Sequence, residues 1–145
     1  MPRSKIFLPD VNVWLALASS RHIHNQAAAH WFDGISEGEA VFCRVTQMAL
    51  LRLLTNARVM GIDAVRPVEA WNVYQTLTQD SRVCFSIEPP GLERAWLELT
   101  RRPQVAQNRW TDTYLQAFAA LRELSIVTFD KGFRRFANPE ALVLG

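Results

Sequence analysis

A chain of 145 residues, 49% of them hydrophobic, is long enough for one domain with a substantial core and too apolar to remain disordered. Sixteen basic against fourteen acidic residues give a net charge of +2, which permits a polyanionic partner without demonstrating one. No apolar run reaches the ~18 residues that cross a bilayer. The apolar stretch behind the basic start Met1-Pro2-Arg3-Ser4-Lys5 stops at Asp10, so export and membrane insertion are not expected and a cytoplasmic location is.

In chain order, Ile6 to Pro9 reads as a buried strand whose terminal proline lacks an N–H and so suits a strand end. Asp10 then stands where it caps a helix, Val11 to Leu17. A second helix spans Asn25 to Ile35, with Ala28, Trp31, Phe32 and Ile35 on one face, before Gly34, Ser36 and Gly38 break the pattern. Ala40 to Cys43 is the second strand. Helix Val45 to Thr55 follows, with Thr46 as cap or first-turn residue, and Asn56 to Pro67 reads as a loop. Helix Val68 to Gln79 precedes a third strand, Arg82 to Ile87, which Glu88-Pro89-Pro90-Gly91 turns sharply into helix Leu92 to Thr100. After the basic segment Arg101 to Arg109 come helix Asp112 to Glu123, strand Ile126 to Phe129, a short turn of helix through Phe136 and strand Ala141 to Leu144. Strands alternating with helices predict an α/β fold with a mainly parallel sheet, one domain over residues 1–145. Cys43 and Cys84 lie inside apolar runs and read as buried, reduced thiols.

Asp10 and Asp130 each end a strand pattern, and Asp112 opens a helix pattern. About twelve helical residues from Asp112 climb roughly 18 Å at ~1.5 Å each, and about five strand residues return roughly 16 Å at ~3.3 Å each. Asp130 therefore comes back level with Asp112, and a first strand parallel to the Ile126 strand brings Asp10 to the same edge. Each aspartate alone reads most simply as a helix cap or turn residue. Three at one edge point to a cation, and an all-oxygen set points to Mg²⁺ or Mn²⁺.

The segments Asp10-Val11-Asn12-Val13-Trp14-Leu15-Ala16-Leu17, Thr111-Asp112-Thr113-Tyr114-Leu115-Gln116-Ala117-Phe118-Ala119 and Val127-Thr128-Phe129-Asp130-Lys131-Gly132-Phe133 resemble the opening and closing motifs of PIN domains, in the order and length of VapC toxins. The closing pair is the more specific. The resemblance implies a three-layer α/β/α fold and a metal-dependent endoribonuclease neutralised by a cognate antitoxin, with a homodimer as its assembly. It makes Asp10, Asp112 and Asp130 the catalytic metal ligands and Asn12 and Thr128 the groups that orient them. The family usually adds a glutamate on the third helix, but Ala40 through Ile62 contains no acidic residue, and Gln47 is the nearest polar stand-in.

Arg101, Arg102, Arg109 and Lys131, with Arg94, Arg134 and Arg135, flank the acidic positions and read either as a solvated face or as a phosphate-gripping rim. Trp110 is the best candidate among five tryptophans for stacking on an RNA base. His22, His24 and His30 read as solvated or capping residues. Two rivals remain: a catalytically weak PIN-like module that binds RNA or antitoxin, and an aspartyl phosphotransferase built on Asp10, which the Asn at position 12 disfavours.

Overall fold

The computed structural model describes residues 5–103, 109–135 and 141–145. β1 (Phe7–Pro9) leads into α1 (Val11–Ala18) and α2 (Asn25–Asp33), β2 (Ala40–Phe42) into α3 (Arg44–Leu54), α4 (Ala57–Met60) and α5 (Pro67–Gln79), and β3 (Val83–Phe85) into α6 (Leu92–Thr100). α7 (Trp110–Arg122), β4 (Ser125–Thr128) and β5 (Ala141–Val143) complete the fold. The strands form one sheet in the order β3-β2-β1-β4-β5, and every pairing is parallel. The mainly parallel α/β/α architecture expected from the sequence is thus present.

Period-two alternation sorts the strand residues between two cores. Ala40, Phe42 and Val127 pack with α1, α2, α3 and α5, where the Trp14 ring stacks on Phe42 with centroids 3.8 Å apart. Leu8, Val41 and Ile126 face the opposite layer, against Leu92 of α6 and Leu115 and Phe118 of α7. Strands buried on both faces explain the short, wholly apolar runs in the sequence.

Strand order reverses between β1 and β4: the chain grows outward from β1 through β2 to β3, then returns to the other side of β1 with β4 and β5. Such a switch point opens a crevice beyond the carboxyl ends of the strands, the usual ligand position in α/β sheets.

Local chemistry moves several predicted boundaries. α3 begins at Arg44 because Thr46 Oγ1 accepts the Cys43 N–H (3.0 Å), which makes Thr46 a first-turn residue and not the cap. α5 takes Pro67 as its first residue, where the missing N–H costs nothing. The expected loop over 56–67 holds α4 and the 3₁₀ turn Gly61–Asp63, started by Asn56 Oδ1 accepting the Arg58 N–H at 2.9 Å. α7 starts two residues before Asp112. Cys43 is buried as expected, but Cys84 is exposed, since β3 is an edge strand. Among the described residues no helix is long and apolar enough to cross a membrane.

The turn from α5 into β3 is held by one bidentate ion pair. Arg82 donates from Nε to Asp80 Oδ1 (2.9 Å) and from Nη2 to Asp80 Oδ2 (2.7 Å), and its guanidinium lies 3.9 Å over the Phe32 ring. These bonds hold the Asp80 carboxyl down to about 2. A depressed carboxyl stabilises the fold above its unfolded value near 3.8 and stops doing so as pH falls through about 2. Asp80→Asn should therefore cost about 1 kcal/mol at neutral pH, discounted for a partly solvated pair. Urea titrations should show the gap from wild type closing between pH 4 and pH 2.

Candidate active site

Asp10 is the N-cap of α1, so its position follows directly from where β1 ends. Oδ1 accepts the Asn12 main-chain N–H at 2.7 Å, and Oδ2 accepts the Thr128 hydroxyl at 2.6 Å. Thr128 Oγ1 in turn accepts the Asp130 N–H at 2.9 Å, which ties the ends of β1 and β4 together through a fully buried hydroxyl. Asp130 Oδ1 accepts the Gly132 N–H at 2.8 Å and so fixes its own carboxylate against the turn that follows. Burial pushes the Asp10 carboxyl above its ordinary value, partly offset by the Thr128 and Asn12 bonds, and the Asp112 and Asp130 charges push it further up.

Asp10, Asp112 and Asp130 line one cavity of about 620 Å³ at the switch point, together with Met48, Ala49 and Arg52 of α3. The three carboxylates share this cavity but not a common cation. Arg109 Nη1 donates to Asp112 Oδ2 at 2.6 Å and to Asp130 Oδ2 at 3.2 Å, so one guanidinium nitrogen pairs with two of the three acids. Among the described residues no group of three His, Cys, Asp or Glu side chains is assembled to hold a metal ion as it stands. In donor chemistry the site suits a hard cation, being all carboxylate oxygen, with buried Asp10 hydrogen-bonded but outside the Arg109 ion pair.

The remaining predicted residues separate. Thr128 meets the Asp10 carboxylate and the Asp130 main-chain N–H, whereas Asn12 serves Asp10 through its main chain. Gln47 is buried and accepts from Arg44, and it does not line the cavity, although Thr46, Met48 and Ala49 around it do. Arg109 sits inside the acidic site and not on its rim, a placement hinted at by its i,i+3 spacing from Asp112. Arg101 is exposed and paired with Glu98, and Arg102 and Lys131 are exposed. Trp110 is 59% exposed on the first turn of α7. The side chains of Arg134 and Arg135, and Phe136, lie outside the described residues. Of the histidines, His22 Nδ1 accepts the His24 N–H, and His24 stacks on Phe129.

Three motifs brought to one crevice invite comparison with known proteins, and residues 7–139 match the family model described as PIN domain. The chain belongs to the PIN domain family. Within it, the chain is of the VapC type: it is 40% identical over 144 residues to the ribonuclease VapC41 of Mycobacterium tuberculosis, covering 96% of this chain and 99% of that one. In fold it is similar to a chain of VapBC2 from Rickettsia felis, solved bound to a promoter DNA fragment (TM-score 0.70, 11% identity, 97% and 99% of the two chains). It is also similar to VapC20 of M. tuberculosis, a toxin that cleaves the sarcin–ricin loop (TM-score 0.67, 16% identity, 96% and 99% covered).

Proposed function

We propose that this VapC-type chain is an endoribonuclease toxin that uses Mg²⁺ or Mn²⁺ held by Asp10, Asp112 and Asp130. The observation that carries the proposal is the meeting of three carboxylates in one cavity at the switch point of the sheet. Relatives named as ribonucleases support the reaction class. A bound cation would polarise the scissile phosphate and lower the pKa of an attacking water. The chain's own contribution is positional. Thr128 and the Asn12 N–H aim the Asp10 carboxylate, the Gly132 N–H aims Asp130, and Arg109 supplies the positive charge that lets a polyanion approach Asp112 and Asp130. Similarity to chains solved as toxin–antitoxin complexes supports a cognate antitoxin as partner, with a homodimer as the proposed assembly.

The Arg109 pairing favours one alternative, a weakly catalytic module in which two of the acids are paired from within. Purified protein incubated with structured RNA separates the two. Cuts in Mn²⁺ that vanish in EDTA and in Asp112→Asn support the nuclease. Cuts that persist in EDTA would overturn metal dependence, and RNA or antitoxin binding without cuts would favour the module.

The missing glutamate gives a further expectation. Ala49 lines the cavity that holds the aspartates, so Ala49→Glu should tighten Mn²⁺ binding by about tenfold through one added carboxylate. Gln47→Glu should leave the calorimetric affinity unchanged, because that side chain is turned toward Arg44.

A further inference from the structure

Beside the acidic cavity lies a second recess of about 320 Å³, lined by Arg44, Glu88, Trp96, Trp110 and Tyr114. Val45 and Thr111 line both spaces, so a group seated in the recess stands next to whatever occupies the aspartates. The recess is built from held side chains. Trp96 Nε1 donates to the Trp110 carbonyl (3.1 Å) and to Thr113 Oγ1 (3.0 Å), and the Trp96 ring meets both Trp110 and Tyr114 edge to face, at 6.0 and 5.3 Å. The Tyr114 hydroxyl donates to Glu88 Oε1 at 2.7 Å and so steers that carboxylate. Arg44 is fixed by its bond to Gln47 and lies 4.8 Å over the Phe85 ring. Trp110 keeps a largely exposed ring on this wall, where an apolar surface would ordinarily be covered.

We propose that this recess is a guanine-binding subsite that selects one nucleotide beside the scissile phosphate; the inference rests on the ribonuclease reading above. Aromatic walls accept any base by stacking, so specificity must come from the two charged groups. A carboxylate only accepts hydrogen bonds. Guanine offers two adjacent donors, N1–H and the N2 amino group, whereas adenine and cytosine pair one donor with an acceptor and uracil sets one donor between two acceptors. On its other edge guanine presents O6 and N7, both acceptors, which suit the Arg44 guanidinium. Guanine alone can give the anchored Glu88 carboxylate two adjacent donors while offering acceptors to Arg44; cytosine and adenine can engage both groups but give the carboxylate one donor beside an acceptor.

Two measurements test the subsite. In the first, wild-type protein in EDTA binds fluorescent pentauridylate carrying a central G, A, C or U, followed by anisotropy. The G oligonucleotide should bind about tenfold more tightly. Glu88→Gln should remove most of that preference, and Trp110→Ala should weaken all four oligonucleotides. In the second, RNA with a randomised segment is cut in Mn²⁺ and its ends are sequenced, and G should be enriched at one fixed distance from the cut, with the enrichment lost in Glu88→Gln. Equal binding of the four oligonucleotides, or a preference unchanged in Glu88→Gln, would overturn the subsite. Cuts without G enrichment would overturn it while leaving the nuclease standing. G-selective binding without metal-dependent cuts would keep the subsite and sink the nuclease.

Discussion

Asp10→Asn should slow RNA cleavage by on the order of 10²–10³-fold, the usual cost of removing one preorganised electrostatic group from a reaction centre. The same substitution should make the metal-free protein harder to unfold at neutral pH. Asp10 is 6% exposed, and its carboxyl sits above its ordinary value, chiefly through burial. A carboxyl whose folded pKa exceeds its unfolded one binds its proton more tightly in the native state, so stability is highest at low pH. That stability is lost as pH rises from about 3.8 through the folded value. At pH 7 the ionised group therefore opposes folding. Asparagine keeps the shape without the charge: Oδ1 accepts the Asn12 N–H, and Nδ2 meets the Thr128 hydroxyl. Thermal melts in EDTA should show a higher Tm for Asp10→Asn at pH 7, with the gap narrowing toward pH 4. A lower Tm at pH 7 would mean that the Thr128 bond outweighs the buried charge. Rate falling while stability rises would mark Asp10 as a residue kept for function at the expense of the fold.

The strands and the convergence of the aspartates are legible in the sequence because both depend on local rules. Apolar runs ended by Asp10 and Asp130 declare strand ends, and the helix between Asp112 and Glu123 has a length that the following strand cancels. What the sequence does not display is rotation about a helix axis. Gln47 is polar and near the expected position, yet its side chain bonds to Arg44 and the cavity is lined instead by neighbours such as Ala49, a residue with no chemistry to notice. The recess is nearly as silent, Trp110 being the lining residue that the sequence singles out. Its members come from α3, the β3–α6 connection, α6 and α7 and meet only through tertiary packing. Cys84 fails for a related reason: an apolar run marks a strand but does not reveal whether that strand lies at the sheet's edge.

Arg109→Ala should tighten Mn²⁺ binding by about tenfold while reducing the stability of the metal-free protein. The guanidinium, about a quarter exposed, donates a single nitrogen to Oδ2 of both Asp112 and Asp130, and it must leave before a cation can take those two oxygens. Breaking charge-assisted bonds in a partly solvated site costs roughly 1–3 kcal/mol, which wild type draws from its metal affinity and Arg109→Ala does not. The metal-free variant would instead hold Asp112 and Asp130 near each other and near Asp10 without a counter-ion, so its Tm should fall in EDTA and recover on adding Mn²⁺. Arg109→Lys separates charge from shape. Lysine keeps the competing cation but lacks the planar fork, so it should bind Mn²⁺ with an affinity close to wild type if charge is what competes. Calorimetry on the three proteins reads this directly. An unchanged Mn²⁺ affinity in Arg109→Ala would show that the guanidinium leaves the acids at no cost, and that Asp112 and Asp130 are as available to a cation as Asp10.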